Sequence, residues 1–312
     1  MISQRRRWTL WLAVLPLTWA LAGCGGDDKP KKGSGGTKTS SGSTGSTGTG
    51  EATTDDDDKS KGSGTATAAA PPAGWGTIKG TITFDGDVPA QQFIHKAGTD
   101  VKDGAICAKN DMPDERLVVN KDNKGIRWVL VYLAGEPPIH DDLKKASGEV
   151  EFGQEFCQFK PHLLAYRVGQ KLKITSSDPT GHNTNAVPFK GEPINPLLPA
   201  APPGGKTEID GPDWKAQTRP VSVKCNVHGW MTAYIMIFDH PYFAVTDENG
   251  NFEIKNVPAG KLHLVTWQES HGYGEGLKEG KEVESGSRDG KAIEVTPDGV
   301  TEINLKMKIT VK

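Results

Sequence analysis

The residues best suited to chemistry lie together in Cys225-Asn226-Val227-His228-Gly229-Trp230-Met231. A thiol, an imidazole and a thioether follow one another at C-x2-H-x2-M spacing. Side chains alternate faces along a strand. Val221, Val223 and Cys225 therefore share one face of the run entering this loop, and Met231, Ala233, Ile235 and Ile237 share one face of the run leaving it. Sulfur from both ends points into a core, with the imidazole carried by the tight loop between. Thiolate, imidazole and thioether are the soft donors that suit copper. A second imidazole from elsewhere would complete a trigonal plane of two histidines and one cysteine, with methionine as a weak axial ligand. Hydrolytic zinc would instead want three borderline or hard ligands and an open water position. The sequence has no H-x-H pair of the kind a trinuclear copper cluster needs. A buried ion with no open position suits one-electron transfer rather than enzymatic turnover.

The elements that must hold these residues read as strands. Runs of β-forming residues at Gly76–Phe84, Arg116–Asn120, Arg127–Leu133, Leu163–Val168, Lys171–Ser176, Val221–Cys225 and Thr232–Phe238 are separated by Gly, Pro, Asn and Asp. Further runs follow at Ala244–Thr246, Phe252–Ile254, Leu262–Trp267, Ala292–Val295 and Thr301–Lys308. Helical periodicity is nearly absent, apart from a turn near Asp141–Lys145. Many short strands with regular turns predict an all-β chain of sandwiches.

Phe159-Lys160-Pro161 precedes the 163–168 run, Gly169-Gln170 turns the chain, and Asp178-Pro179-Thr180-Gly181-His182-Asn183 follows the 171–176 run. This order resembles the cupredoxin (blue-copper, plastocyanin-like) family, a Greek-key β-sandwich. Phe159, Pro161, Val168, Gly169, His182 and Asn183 match its pattern, best over 155–240. The resemblance implies a mononuclear type 1 copper with His182, Cys225 and His228 equatorial and Met231 axial. It also implies a redox partner protein and an exposed His228. The Pro-rich loop 188–215 reads either as the frame of a docking surface beside that histidine or as a plain surface insertion. Two departures stand out. Gly181 replaces the proline that precedes the first histidine, and only two residues separate His228 from Met231 where plastocyanin-like loops usually hold more. The short spacing recurs in binuclear copper sites, but those need a second cysteine in the loop, and 226–230 has none. The plainer alternatives are a core methionine at 231 and a buried thiol in a sandwich that holds no metal.

A boundary is expected near His240-Pro241, giving a first domain over 74–240. Beyond it, Asp247-Glu248-Asn249-Gly250-Asn251 is a hairpin turn, and Val257-Pro258-Ala259-Gly260 turns the chain again. Residues 241–312 resemble the carboxypeptidase regulatory-like (transthyretin-like) family, which implies a small β-sandwich and no chemistry. His263 and His271 read there as ordinary polar residues.

Residues 1–23 carry Arg5-Arg6-Arg7, an apolar run from Trp8 to Leu21, then Ala22-Gly23 before Cys24. This is the pattern of a secretory signal. Leu21-Ala22-Gly23-Cys24 resembles a bacterial lipobox, which implies that Cys24 becomes the lipidated N-terminus, anchored to a membrane rather than spanning it. The same resemblance implies the outer membrane, because Gly25 rather than Asp follows the cysteine. Residues 24–73 contain no aromatic, Val, Ile or Leu. They cannot bury enough apolar surface to fold and predict a disordered tether with a span of roughly 40 Å. The Asp55–Lys59 charge run reads as solvated. The 312-residue chain has net charge −2, which falls to −5 once the three arginines leave with the signal. That balance argues against nucleic acid as a partner. Of the four cysteines, Cys24 takes lipid, and Cys107 and Cys157 can pair in an oxidising compartment, leaving Cys225. Alternatively Cys157 and His162 belong to a second metal site. His95, His140 and His240 have no partner at a defensible spacing. The expected function is a lipid-anchored, non-enzymatic electron-transfer protein of the cell envelope. The alternatives are a copper-handling protein without electron transfer and a metal-free envelope scaffold or adhesion module.

Overall fold

The computed structural model describes residues 72–274 and 290–310, which form short strands joined by turns. The expected signal, Cys24 and the expected tether up to residue 71 lie outside the described residues. The helical content described is one turn at Gly104–Cys107 and a 3-10 turn at Asp141–Leu143, near the turn expected at 141–145. Among the described residues no helix is long and apolar enough to cross a membrane. The all-β expectation holds.

The sandwich around the 225–231 loop has two sheets. In one, Lys171–Ser176 pairs antiparallel with Thr207–Asp210 and parallel with Glu149–Glu155, which pairs in turn with Gln158–Lys160. In the other, Val221–Lys224 pairs antiparallel with Thr232–Phe238 and with Asn185–Ala186, and Leu163–Arg167 runs parallel to 234–238. Phe152, Phe159, Ile174, Val221, Val223, Ala233, Ile235 and Ile237 fill the space between them, each at most 1% exposed. The strand Glu149–Glu155 was not legible in sequence, because three glutamates and a glycine break its apolar pattern.

The second sandwich draws on both ends of the described chain. Trp75–Phe84 pairs antiparallel with Asn251–Pro258 and parallel with Val300–Glu302 and Leu305–Met307. Leu130–Leu133 pairs with Phe243–Val245 and with Gly260–Gln268, whose other edge carries Lys291–Val295 and Gly272–Gly274. Ile78, Ile82, Val131, Leu133, Phe252, Val257 and Leu264 share its core. A cut near His240-Pro241 therefore places 75–84 and 130–133 in the first half while their hydrogen-bonded partners lie in the second. The sequence pattern hides this, because pairing partners about 175 residues apart leave no local trace. Gly80 is required here: a Cβ would stand 1.8 Å from the Ile303 carbonyl oxygen.

The run Thr232–Phe238 is apolar on both faces because both are buried. Ala233, Ile235 and Ile237 face the first core. Met236 and Phe238 meet Leu130, Leu163 and Trp267 in a third cluster that fuses the two sandwiches. Tyr132 packs on Phe238 with ring centroids 5.0 Å apart, and Tyr234 on Trp267 at 4.9 Å.

Candidate metal centre

The strand pairing delivers the donors. Val221 and Val223 point into the core while Ser222 and Lys224 are exposed, so parity carries the Cys225 side chain inward, where it is 1% exposed. The loop closes on itself: Met231 N–H donates to the His228 carbonyl at 2.9 Å, and Cys225 N–H to the Met231 carbonyl at 3.2 Å. Opposite it, His182-Asn183 pairs with Leu197-Leu198. Asn183 fastens the two segments together, since its Oδ1 accepts from the backbone N–H of Asn226 at 2.7 Å and of Val227 at 3.3 Å.

His182, Cys225 and His228 are all buried, with one donor atom of each within 4.8 Å of the others. His182 Nδ1 and His228 Nδ1 are 2.9 Å apart, and Cys225 Sγ lies 4.0 Å from His182 Nδ1. The Cys225 thiol also reaches Asn183 Oδ1 at 3.4 Å, and His228 N–H donates to Cys225 Sγ at 3.4 Å. Met231, 1% exposed, belongs to the same core as Cys225.

Each imidazole is oriented from outside. His182 Nε2 meets Asp178 Oδ2 at 2.8 Å, and His228 Nε2 meets Asp103 Oδ2 at 2.9 Å. A carboxylate accepts a proton-bearing nitrogen, so these contacts put N–H on both outer nitrogens and turn both Nδ1 atoms inward. Asp178 is itself held by the Phe156 and Cys157 N–H groups at 2.7 and 2.8 Å.

The electrostatics follow. Burial opposes charge on His182, but the Asp178 carboxylate and Cys225 outweigh it and raise the imidazole to about 9. Burial and the neighbouring His182 charge push His228 down, against the pull of Asp103. Burial works to raise the Cys225 thiol, yet His182 and the surrounding N–H groups bring it below its ordinary value. Asp178 stays below the carboxylate range despite burial because His182 and two backbone N–H groups favour its charged form. Asp103 is lowered by its hydrogen bonds from Thr180 and His228.

Four features differ from the sequence reading or were absent from it. First, His228 is 0% exposed, not a surface histidine. Asp103, directly before the Gly104–Cys107 helical turn, contacts its outer nitrogen, and Cys107 of that turn is bonded to Cys157 with Cα atoms 5.2 Å apart. Second, Cys157 Sγ lies in a second cluster with Asp178 and His182, but in a disulfide it has no thiolate to offer. Third, His162 pairs with Glu269 at 2.6 Å and joins no ligating cluster among the described residues. Fourth, the sequence offers no sign of the roles of Asp103 and Asp178. Asp103 lies 125 positions from its partner, and a carboxylate four residues before a histidine in a loop carries no recognisable signal.

No family model and no curated protein matches the chain. Among solved structures the chain is similar to a purple cupredoxin from Nitrosopumilus maritimus, at 16% identity over 29% of this chain and 99% of that one, with a TM-score of 0.23. It is similar to the amicyanin of Paracoccus versutus, at 12% identity over 35% of this chain and 97% of that one, also at 0.23. A Cu-containing nitrite reductase from Thermus scotoductus SA-01 aligns at 19% identity over 29% of this chain, with a TM-score of 0.24, and the chain spans 22% of that protein's length.

Proposed function

We propose that this protein is a cupredoxin-type copper protein that passes single electrons to and from a redox partner in the cell envelope, tethered there by lipid on Cys24. The observation that carries the copper reading is the 2.9 Å approach of two inward-facing Nδ1 atoms beside a buried thiol. Two bare lone pairs repel at that distance, so the pair requires a cation between or beside them, either a proton or a metal. Donors bound about 2.0–2.3 Å from one ion lie roughly 3–4 Å from one another, which the nitrogen and sulfur positions approximate. Two nitrogens, a thiolate and a nearby thioether favour copper over harder ions. Copper held there would supply one-electron chemistry.

The chain's own residues set its terms. Asp178 and Asp103 fix the imidazole tautomers, and Asn183 holds the cysteine loop against the His182 segment. Both sheets brace the donors, so little rearrangement accompanies a change of charge. The second sandwich, which we read as the carboxypeptidase regulatory-like module, serves as a support.

Copper titration tests the reading. One ion per chain is expected, with an intense visible thiolate-to-copper absorption that Cys225→Ser abolishes. A chain that takes up no stoichiometric copper ends the reading. Copper bound without that absorption, or without reversible reduction, supports the handling alternative, which the covered position of His228 also favours. Mass spectrometry of the membrane fraction tests lipid on Cys24.

A further inference from the structure

A cavity of about 390 Å3 opens beside the metal centre, at the small end of ligand-binding pockets. Its walls are aromatic (Phe93, Phe159, Trp230) and polar (Asp114, Gln158, His162). The two carboxylates of its wall are each paired with a cation, and its imidazole rests on a carboxylate. Asp114 holds Arg116 Nε at 2.9 Å, Glu115 holds Lys160 at 3.1 Å, and His162 holds Glu269 at 2.6 Å. Compensated charge and aromatic walls favour a neutral aromatic ligand over an ion. The His162–Glu269 pair, with side chains 7% and 13% exposed, places an imidazole hydrogen-bonded to a carboxylate at the wall.

Trp230 and its neighbour Met231, both in the cavity wall, link it to the centre. The Trp230 ring lies 5.1 Å from the His228 ring, centroid to centroid, and its Nε1–H donates to the Cys157 carbonyl at 3.3 Å. Both imidazoles are fully buried and His228 Nε2 is capped by Asp103, whereas Trp230 is partly exposed. The indole is the ring that reaches from a ligand histidine to a solvent-connected space.

We propose that this cavity binds a neutral, one-ring hydroxylated aromatic of the hydroquinone class, and that Trp230 conducts its electron to the metal centre. The electron step rests on the copper reading above. A bound hydroquinone loses one O–H hydrogen as a proton and an electron. The proton passes to the His162–Glu269 pair and on to water. The electron passes to Trp230, from which an oxidised copper centre would take it as a one-electron acceptor. Two of the radicals left behind disproportionate to one quinone and one hydroquinone.

Binding is measured first on the metal-free full chain, by calorimetric titration with hydroquinone and quenching of tryptophan fluorescence. One molecule per chain is expected. Ile94→Arg, at an exposed position on the cavity wall, should weaken binding roughly tenfold or more with an unchanged circular dichroism spectrum. Absent saturable binding, or equal affinity in Ile94→Arg, overturns the site. Because no copper is present, failure of the copper reading leaves this result standing. With copper loaded, Trp230→Leu should slow reduction by hydroquinone severalfold while dithionite still reduces the centre fully. Equal rates in the two proteins remove Trp230 from the path. His162→Gln provides a second variant, expected to slow the same step while retaining the visible absorption.

Discussion

His182 and His228 turn their Nδ1 atoms to within 2.9 Å of each other, while the outer nitrogen of each ring rests on a carboxylate. Without metal this arrangement closes on one shared proton. His182, raised to about 9, carries it, and His228, pushed down by burial and by its charged neighbour, accepts from it. A copper ion held there would replace that proton with a larger charge and would take the Cys225 thiolate as a third donor. The metal-free protein is thus already arranged for the ion, because Asp178 and Asp103 dictate which nitrogens face inward.

Asp178→Asn should weaken copper binding by about 10–100-fold, the usual range for losing a carboxylate behind a ligand histidine. Asp103→Asn should cost less, since its side chain is 36% exposed where that of Asp178 is 5% exposed. Competition with a chelator of known affinity measures both. Undiminished affinity in Asp178→Asn would show that the carboxylate does not orient His182.

Met231→Leu should leave copper stoichiometry intact and raise the reduction potential, because a thioether donor is lost from an otherwise unchanged site. The swap conserves volume in a well-packed core and should cost less than about 1.5 kcal/mol of stability. Voltammetry decides the point. A potential equal to the parent's removes Met231 from the ligand set and leaves it a core residue.

The Cys107–Cys157 bond closes a separation of 50 residues, which in the chain-entropy model contributes about 4 kcal/mol. Cys107→Ala with Cys157→Ala should lower the urea midpoint accordingly. It should also loosen the Asp103 turn, so that His228 becomes accessible to diethyl pyrocarbonate in the metal-free protein. A His228 equally protected in the double variant would show that the turn holds its place by other contacts.

His240 gives the stability a pH dependence. Burial lowers its pKa from 6.5, against the pull of Asp239, and its Nδ1 accepts the Tyr242 N–H at 3.2 Å. The folded state therefore binds fewer protons than the unfolded chain. This contribution is complete above pH 6.5 and declines as the pH falls through and below that value. His240→Gln should flatten the loss of stability across that window in denaturant titrations. An unchanged slope would assign the effect to other groups, of which the buried His228 and the half-buried His271 also have lowered pKa values.

Residues 74–240 alone should not fold as a two-sandwich body. Removing 241–312 strips the 75–84 and 130–133 strands of their partners and uncovers Ile78, Ile82, Leu130 and Phe238, each at most 4% exposed in the full chain. The truncated chain should aggregate or unfold without cooperativity. A cooperative, soluble 74–240 product would show that the first sandwich is self-sufficient.

Local pattern determined much of this protein. The alternation of Val221, Val223 and Cys225, and of Met231, Ala233, Ile235 and Ile237, fixes which side chains turn inward, because strand parity is a property of neighbouring residues. The soft donor set in Cys225–Met231 and the match around His182 were legible for the same reason. The tertiary structure alone decided what surrounds them. Asp103 caps His228 from 125 positions away, Glu269 takes His162 from 107, and Trp75–Phe84 completes a sheet with Asn251–Pro258. Such contacts arise when sheets pack and chain ends meet. Their partners are chosen by shape, charge and the need to pair edge backbone, none of which leaves a mark on adjacent residues. For that reason the donors could be read from the sequence, whereas the burial of His228 and the partly exposed Trp230 beside it could not.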